Sequence, residues 1–253
     1  MQTPILVRVQ AKGGKFLGPD AGYSQVTLRD AATGNVLAQG LAPGGSGQLM
    51  GFFTPSTTRQ CIVTPMWGTQ NVLWLSATPD QATAGFTAAL NLDVPTLVEF
   101  TAQALTDGAP NGHAVTQTMW ITPGADLTQE PGVVLVIPGL IVNVLSATVT
   151  PGEPSVNVTA WVTMMCGCRI GPGLPWVDTE FDVTATITDA RGNAVTQTPV
   201  ALTLQKTSTF GTSTPIALPG PGEYTLAVEA VQAAEGNVGS ESATFTVPAA
   251  GGA

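Results

Sequence analysis

Apolar residues alternate with polar ones along most of this chain, and Pro, Gly or Thr interrupts nearly every window before a helical period can build. Alternation is the period of an extended strand with one face on a core and the other toward water. The pattern predicts strands at residues 5–11, 24–29, 36–38, 59–63, 71–76, 85–92, 96–105 and 113–122. Between the second and third, Asp30-Ala31-Ala32-Thr33-Gly34-Asn35 carries hairpin chemistry, with Gly34 supplying a positive φ. A stretch marked by Pro and Gly, residues 122–139, is the best domain boundary. Beyond it, strands are expected at 140–149, 156–165, 181–188, 200–205, 208–218, 222–231 and 240–247. Turn signals separate them at Pro151-Gly152, Asp189-Ala190-Arg191-Gly192-Asn193 and Pro219-Gly220-Pro221-Gly222.

About seven short alternating strands at this spacing are the pattern of an immunoglobulin-like sandwich. The segment Gly220-Pro221-Gly222-Glu223-Tyr224-Thr225-Leu226-Ala227-Val228-Glu229-Ala230 resembles the Gly-x-Tyr-x-hydrophobic segment of bacterial immunoglobulin-like and fibronectin type III-like modules. Residues 235–239 and 243–247 resemble their last loop and final strand, so the resemblance covers residues 140–247. It implies that Tyr224 begins the sixth strand and that its hydroxyl ties down a neighbouring turn. The Cys-Trp-Cys pairing of antibody-type domains is absent. In the first half, Gly22-Tyr23-Ser24-Gln25-Val26-Thr27-Leu28-Arg29-Asp30, with Thr33-Gly34 and Leu37-Ala38-Gln39-Gly40, resembles the opening of transthyretin-like modules of bacterial surface proteins. The expected fold class is therefore all-β: two tandem antiparallel β-sandwich domains, residues 1–132 and 133–253, the second immunoglobulin-like. Such folds host many functions and specify none.

Composition narrows the function classes. Only 10% of residues are charged while 43% are hydrophobic, against roughly a quarter charged in an average globular protein. The net charge is −9, and the eight Lys and Arg are scattered singly. A nucleic-acid partner requires clustered cations, so none is expected. No apolar run reaches the roughly 18 residues of a membrane-spanning helix, since Pro138-Gly139 and Asn143 interrupt the longest one, at 133–145. Met1-Gln2-Thr3-Pro4 lacks the pattern of a signal peptide, which leaves a cytoplasmic chain or a mature segment whose leader has been removed. The Thr-, Gly- and Ala-rich, Lys-poor, acidic composition favours an extracellular, cell-surface or periplasmic location.

Candidate chemistry concentrates at Met164-Met165-Cys166-Gly167-Cys168, four sulfur-bearing side chains in five residues, with Cys61 far upstream. Thiolates and thioethers are soft ligands that favour copper(I), zinc and iron–sulfur clusters. If residues 156–168 are extended, alternation places Val156, Val158, Ala160, Val162, Met164 and Cys166 on a core face. Asn157, Thr159, Trp161, Thr163 and Met165 then take the other face. Met164 and Cys166 read as the buried end of a strand, free Cys behaving as a small hydrophobe, and Cys168 and Met165 stay open as ligands. Three readings remain: redox-inert core residues, a soft-metal site, or a tight disulfide. A closed zinc site would need ligands from elsewhere.

The other candidates are weaker. His113, the sole histidine, follows the turn Pro110-Asn111-Gly112 and reads as an exposed loop residue. Asp178, Glu180 and Asp182 recur at every second position and read as the solvated face of an amphipathic strand. Gly44-Gly45-Ser46-Gly47 lacks the Lys and following helix of a phosphate loop. Trp161 and Trp176 are candidate interface anchors, because aromatic side chains dominate protein contacts. The expected function is a non-catalytic secreted or surface structural module without a cofactor, partnered by copies of itself in a homo-oligomeric or filamentous assembly. The alternative is a periplasmic copper(I)- or zinc-binding protein using Cys166, Cys168, Met164, Met165 and Cys61.

Overall fold

β1 (Gln2–Ala11) is buried on both faces from Ile5 to its end, which suits the central strand of a sheet rather than a half-exposed one. The computed structural model describes residues 1–49, 60–66, 69–75, 83–105, 113–129, 131–150 and 152–249, with the backbone course alone at 48–49, 60–66 and 69–75. The architecture is all-β, with antiparallel sheets in sandwich-like arrangements. The chain divides into two compact units. The first takes in residues 1–107, 111–138 and 165–168, and the second residues 139–164 and 169–253.

The remaining strands of the first unit are β2 (Ser24–Asp30), β3 (Val36–Leu41), β4 (Gln48–Leu49), β5 (Gln60–Met66), β6 (Thr69–Leu75), β7 (Phe86–Asn91), β8 (Thr96–Ala104), β9 (Ala114–Ile121) and β10 (Val133–Ile137). They form sheets ordered β10-β1-β7, β3-β2-β8-β9 and β4-β6-β5. β10 pairs with β1 in parallel, Val7 opposite Val133 and Ala11 opposite Ile137. The run 133–137, expected to open the second domain, thus completes a sheet of the first unit. Val26 and Leu28 lie opposite Ala102 and Phe100 across the β2–β8 pair, and all four are buried. Their polar neighbours Thr27 and Thr101 stay half-exposed, so the alternation read in the sequence marks the core face here.

The second unit contains β11 (Leu140–Val149), β12 (Ser155–Met164), β13 (Asp182–Asp189), β14 (Val200–Ala201), β15 (Thr203–Lys206), β16 (Thr209–Gly211), β17 (Ile216–Ala217), β18 (Gly222–Gln232) and β19 (Asn237–Val247). One sheet is ordered β11-β12-β16-β15 with β17 also on β12, and the other β14-β13-β18-β19. Val156, Val158, Ala160, Val162 and Met164 are buried from the first sheet, and Val183, Ala185, Ile187, Leu226, Val228 and Ala230 from the second. β11 and β19 approach so closely that any side chain at Gly239 would collide with the Leu140 carbonyl. Beside this approach Asn237 Oδ1 accepts from the Gly139 amide at 3.0 Å, and Asn237 Nδ2 donates to Gln232 Oε1 at 2.9 Å. Buried polar atoms need such partners. Tyr224 Oη donates to the Gly220 carbonyl at 2.7 Å, and its ring stacks on Phe245 with centroids 5.6 Å apart.

One sequence expectation is corrected locally. Asp178–Glu180 is a short 3-10 turn, and only Asp182 begins the strand. The three carboxylates therefore do not form one strand face.

Candidate functional site

The sulfur-bearing turn is built from the end of β1 upward. Ala11 begins a tight reversal in which its amide donates to the Lys15 carbonyl and its carbonyl accepts from the Gly14 amide, both at 2.9 Å. The buried Gln10 side chain holds this reversal from beneath, its Nε2 donating to the Gly14 carbonyl at 2.9 Å. Residues 16–23 follow, with a 3-10 turn at Pro19–Ala21 closed by Gly22 in the left-handed region. Residues 165–168 belong to this same unit and lie against that reversal and turn.

Two glycines make the fit possible. Gly14 is within van der Waals reach of Cys166: a Cβ added there would sit 3.2 Å from Cys166 Sγ and 2.9 Å from the Ala11 Cβ. Gly167 has φ +75, and a Cβ on it would lie 2.6 Å from the Asp20 carbonyl oxygen. It therefore answers two demands, a left-handed backbone and a close approach to another chain segment. In an extended strand, residues two apart are separated by nearly 7 Å at the α-carbon. The turn at Gly167 instead brings Cys166 Sγ and Cys168 Sγ to 2.7 Å, both as free thiols.

The two sulfurs differ in environment. Cys166 is buried at 1% exposure, whereas Cys168 is only partly buried. Burial alone raises the Cys166 thiol, but hydrogen bonds from the Cys168 thiol and from the Lys15 and Cys168 backbone N–H groups reverse this, aided by the Lys15 ammonium. The net result holds Cys166 below the ordinary thiol range. Cys168 is pushed well above it by burial, by the hydrogen bond it donates to Cys166, and by the negative charge of Cys166. One proton thus serves two sulfurs, with the charge favoured on the inner one.

The other sequence candidates fall as follows. Met164 and Met165 are both fully buried, and Thr163 is buried with them, so the alternation that set Met165 apart fails over the last residues of β12. The side chain of Cys61 lies outside the described residues, as does the turn Pro110-Asn111-Gly112. Trp176 is 4% exposed and packed inside the second unit, so it offers no surface to a partner, while Trp161 is half-buried. His113 is half-buried rather than exposed, and burial, partly offset by a hydrogen bond to the Pro138 carbonyl, lowers its pKa. Among the described residues no group of three or more His, Cys, Asp or Glu is arranged to hold a metal ion.

The surroundings of the sulfurs escaped the sequence reading, as did the position of Trp120 on an edge strand. Lys15, Gly14 and Asp20 complete the surroundings of the sulfurs, and nothing in the local pattern ties residue 15 to residue 166. Trp120 is 69% exposed on β9, and its place on an edge strand depends on strand order. No protein-family model matches this sequence, and no curated protein matches it.

Proposed function

We propose that the chain is a non-catalytic structural and interaction module, working outside the cell or at its surface and assembling with copies of itself. The observation that supports this is β9. It ends its sheet, and among the described residues no strand pairs its outer edge. Its sequence, Ala114-Val115-Thr116-Gln117-Thr118-Met119-Trp120-Ile121, carries no charge, Pro or Gly. It pairs with β8 without a bulge over its whole length, and only Ile121 is buried. Natural edge strands are normally blocked by lysines, prolines, bulges or brevity, because an open edge recruits another strand. An uncharged β-prone segment left open is the composition that pairs with a further chain. A second copy adding a strand here would satisfy the open backbone groups and cover Trp120.

Light scattering and electron microscopy on the full chain over a concentration series test the reading. Particles heavier than the 25.8 kDa monomer are expected, reverting to monomers in Thr116→Lys/Thr118→Lys with unchanged far-ultraviolet circular dichroism. A strict monomer at high concentration overturns it.

The sulfur pair favours a second reading, a periplasmic soft-metal binder. Cys166 and Cys168 would supply two thiolates, a donor set that suits copper(I). A tetrahedral zinc site would need additional donors, for which Cys61, Met164 and Met165 are the sequence candidates. Elemental analysis of anaerobically purified protein decides it: absence of copper and zinc, with thermal stability unchanged by added copper(I), removes this reading.

A further inference from the structure

Two thiols in contact across a turn that only glycine can make form a ring waiting to close. The turn at Gly167, seated against Asp20 and Gly14, holds the sulfurs 2.7 Å apart. The second, independent observation is the difference in access. Cys168 meets solvent and Cys166 does not, yet Cys166 is the sulfur surrounded by N–H donors and faced by the Lys15 ammonium. This is the division found useful in dithiol chemistry, where one sulfur meets the reagent and its neighbour, as thiolate, displaces what the first has taken up.

We propose that Cys166 and Cys168 are a reversible dithiol–disulfide couple that exchanges electrons with small-molecule disulfides. Cys168 is the sulfur that meets the reagent, and Cys166 is the one that closes the ring. In the first step Cys168 attacks one sulfur of the reagent disulfide and its proton passes to the departing sulfur; a Cys168–reagent disulfide forms and one reagent thiol departs. In the second step the Cys166 thiolate attacks Cys168 Sγ, the mixed disulfide breaks, and the second reagent thiolate departs. Counted from the neutral dithiol, the protein loses two protons and two electrons, and the reagent disulfide takes them up to become two thiols. The inference stands apart from the assembly reading and does not depend on it. It competes with the metal reading only for the same two sulfurs.

The test uses the full chain and its Cys61→Ser variant, reduced and then incubated with oxidised glutathione in the presence of a copper(I) chelator. Intact mass, thiol alkylation and peptide mapping are the readouts. The expected result is loss of two hydrogens, protection of residues 166 and 168 from alkylation, and reversal by dithiothreitol. Cys61→Ser/Cys166→Ser is expected to accumulate a stable glutathione adduct on Cys168. Cys61→Ser/Cys168→Ser is expected to take up none, since its remaining sulfur is buried. Two free thiols persisting at 166 and 168 in the folded chain under excess oxidised glutathione would overturn the proposal. So would a bridge that maps to Cys61, or closure that requires added copper. If the variants do not fold, the peptide map of the unsubstituted chain decides between the same outcomes.

Discussion

Gly167→Ala separates two costs that a glycine usually hides together. Gly34 and Gly167 share a φ of +75, and both lie in the first unit. Around Gly34 nothing lies within 4 Å of an added Cβ, whereas at Gly167 the Asp20 carbonyl oxygen, carbonyl carbon and Cβ lie at 2.6, 2.7 and 2.8 Å. Gly34→Ala therefore reports the left-handed backbone alone, about 1–2 kcal/mol. Gly167→Ala adds displacement of a backbone segment that cannot rotate away, an overpacking cost of about 1–3 kcal/mol. The expected gap between the two variants is thus about 1–3 kcal/mol, the share that belongs to the close approach. Urea unfolding, with hydrogen exchange of the β1 amides to assign the transition to the first unit, measures it. The substitution also moves Cys166 and Cys168 apart, so ring closure by oxidised glutathione should slow in Gly167→Ala and not in Gly34→Ala. Equal destabilisation by the two alanines would refute the reasoning, because Asp20 would then not confine residue 167.

Tyr224→Phe removes the 2.7 Å hydrogen bond to the Gly220 carbonyl and leaves the ring stacked on Phe245. A loss of about 0.5–1.5 kcal/mol in urea unfolding of the second unit is expected, and no measurable loss would show that the turn does not depend on the hydroxyl. His113 gives a pH dependence with a defined sign. Its folded pKa lies below the ordinary 6.5 because burial disfavours the imidazolium. The unfolded chain therefore takes the proton first as pH falls, and stability is lost progressively from about pH 6.5 down to the folded value. His113→Gln should flatten that part of the Tm–pH curve, and an unchanged slope would count against the assignment.

Most strands of the second unit were legible because they have one wet face, whereas the span expected at 208–218 is two short strands, β16 and β17, the first buried throughout. Expected and observed spans agree closely at Leu140–Val149, Gly222–Gln232 and Ser155–Met164. Alternation also placed Met164 and Cys166 on the core side, and both are buried. Where a segment is apolar throughout, periodicity does not identify its partner. The run 133–137 has the same pattern whether it opens a new sandwich or lies parallel beside β1, and only tertiary pairing decides. The same limit applies at the sulfurs. Gly167 between two cysteines signals a turn, but the demand that Asp20 makes on it comes from almost 150 residues upstream. The acidic stretch at 178–182 shows the opposite failure: a two-residue period was present, and the chain turned at Asp178–Glu180 instead.

Five other edge strands, β3, β11, β14, β15 and β19, are treated differently from β9. β3 pairs with β2 through an irregularity at Leu28 and Arg29. β14 has two residues, and β15 is short, irregular between Leu204 and Lys206, and ends in a lysine. β11 carries a register shift between Val144 and Ser146, and its Val144 amide donates to the Glu241 carboxylate, so β19 satisfies it from within the same unit. β19 itself is long, but it carries Glu241 and packs at Gly239 against Leu140. Each is a recognised means of keeping an edge from recruiting another strand. β9 has none of them, and it places Trp120 in solvent beside the open edge. Among the described residues these edges are shortened, irregular, charged or covered, whereas β9 is a regular eight-residue edge without charge. An accidental edge would be as hazardous in β9 as in β11, and selection against aggregation would be expected to block both.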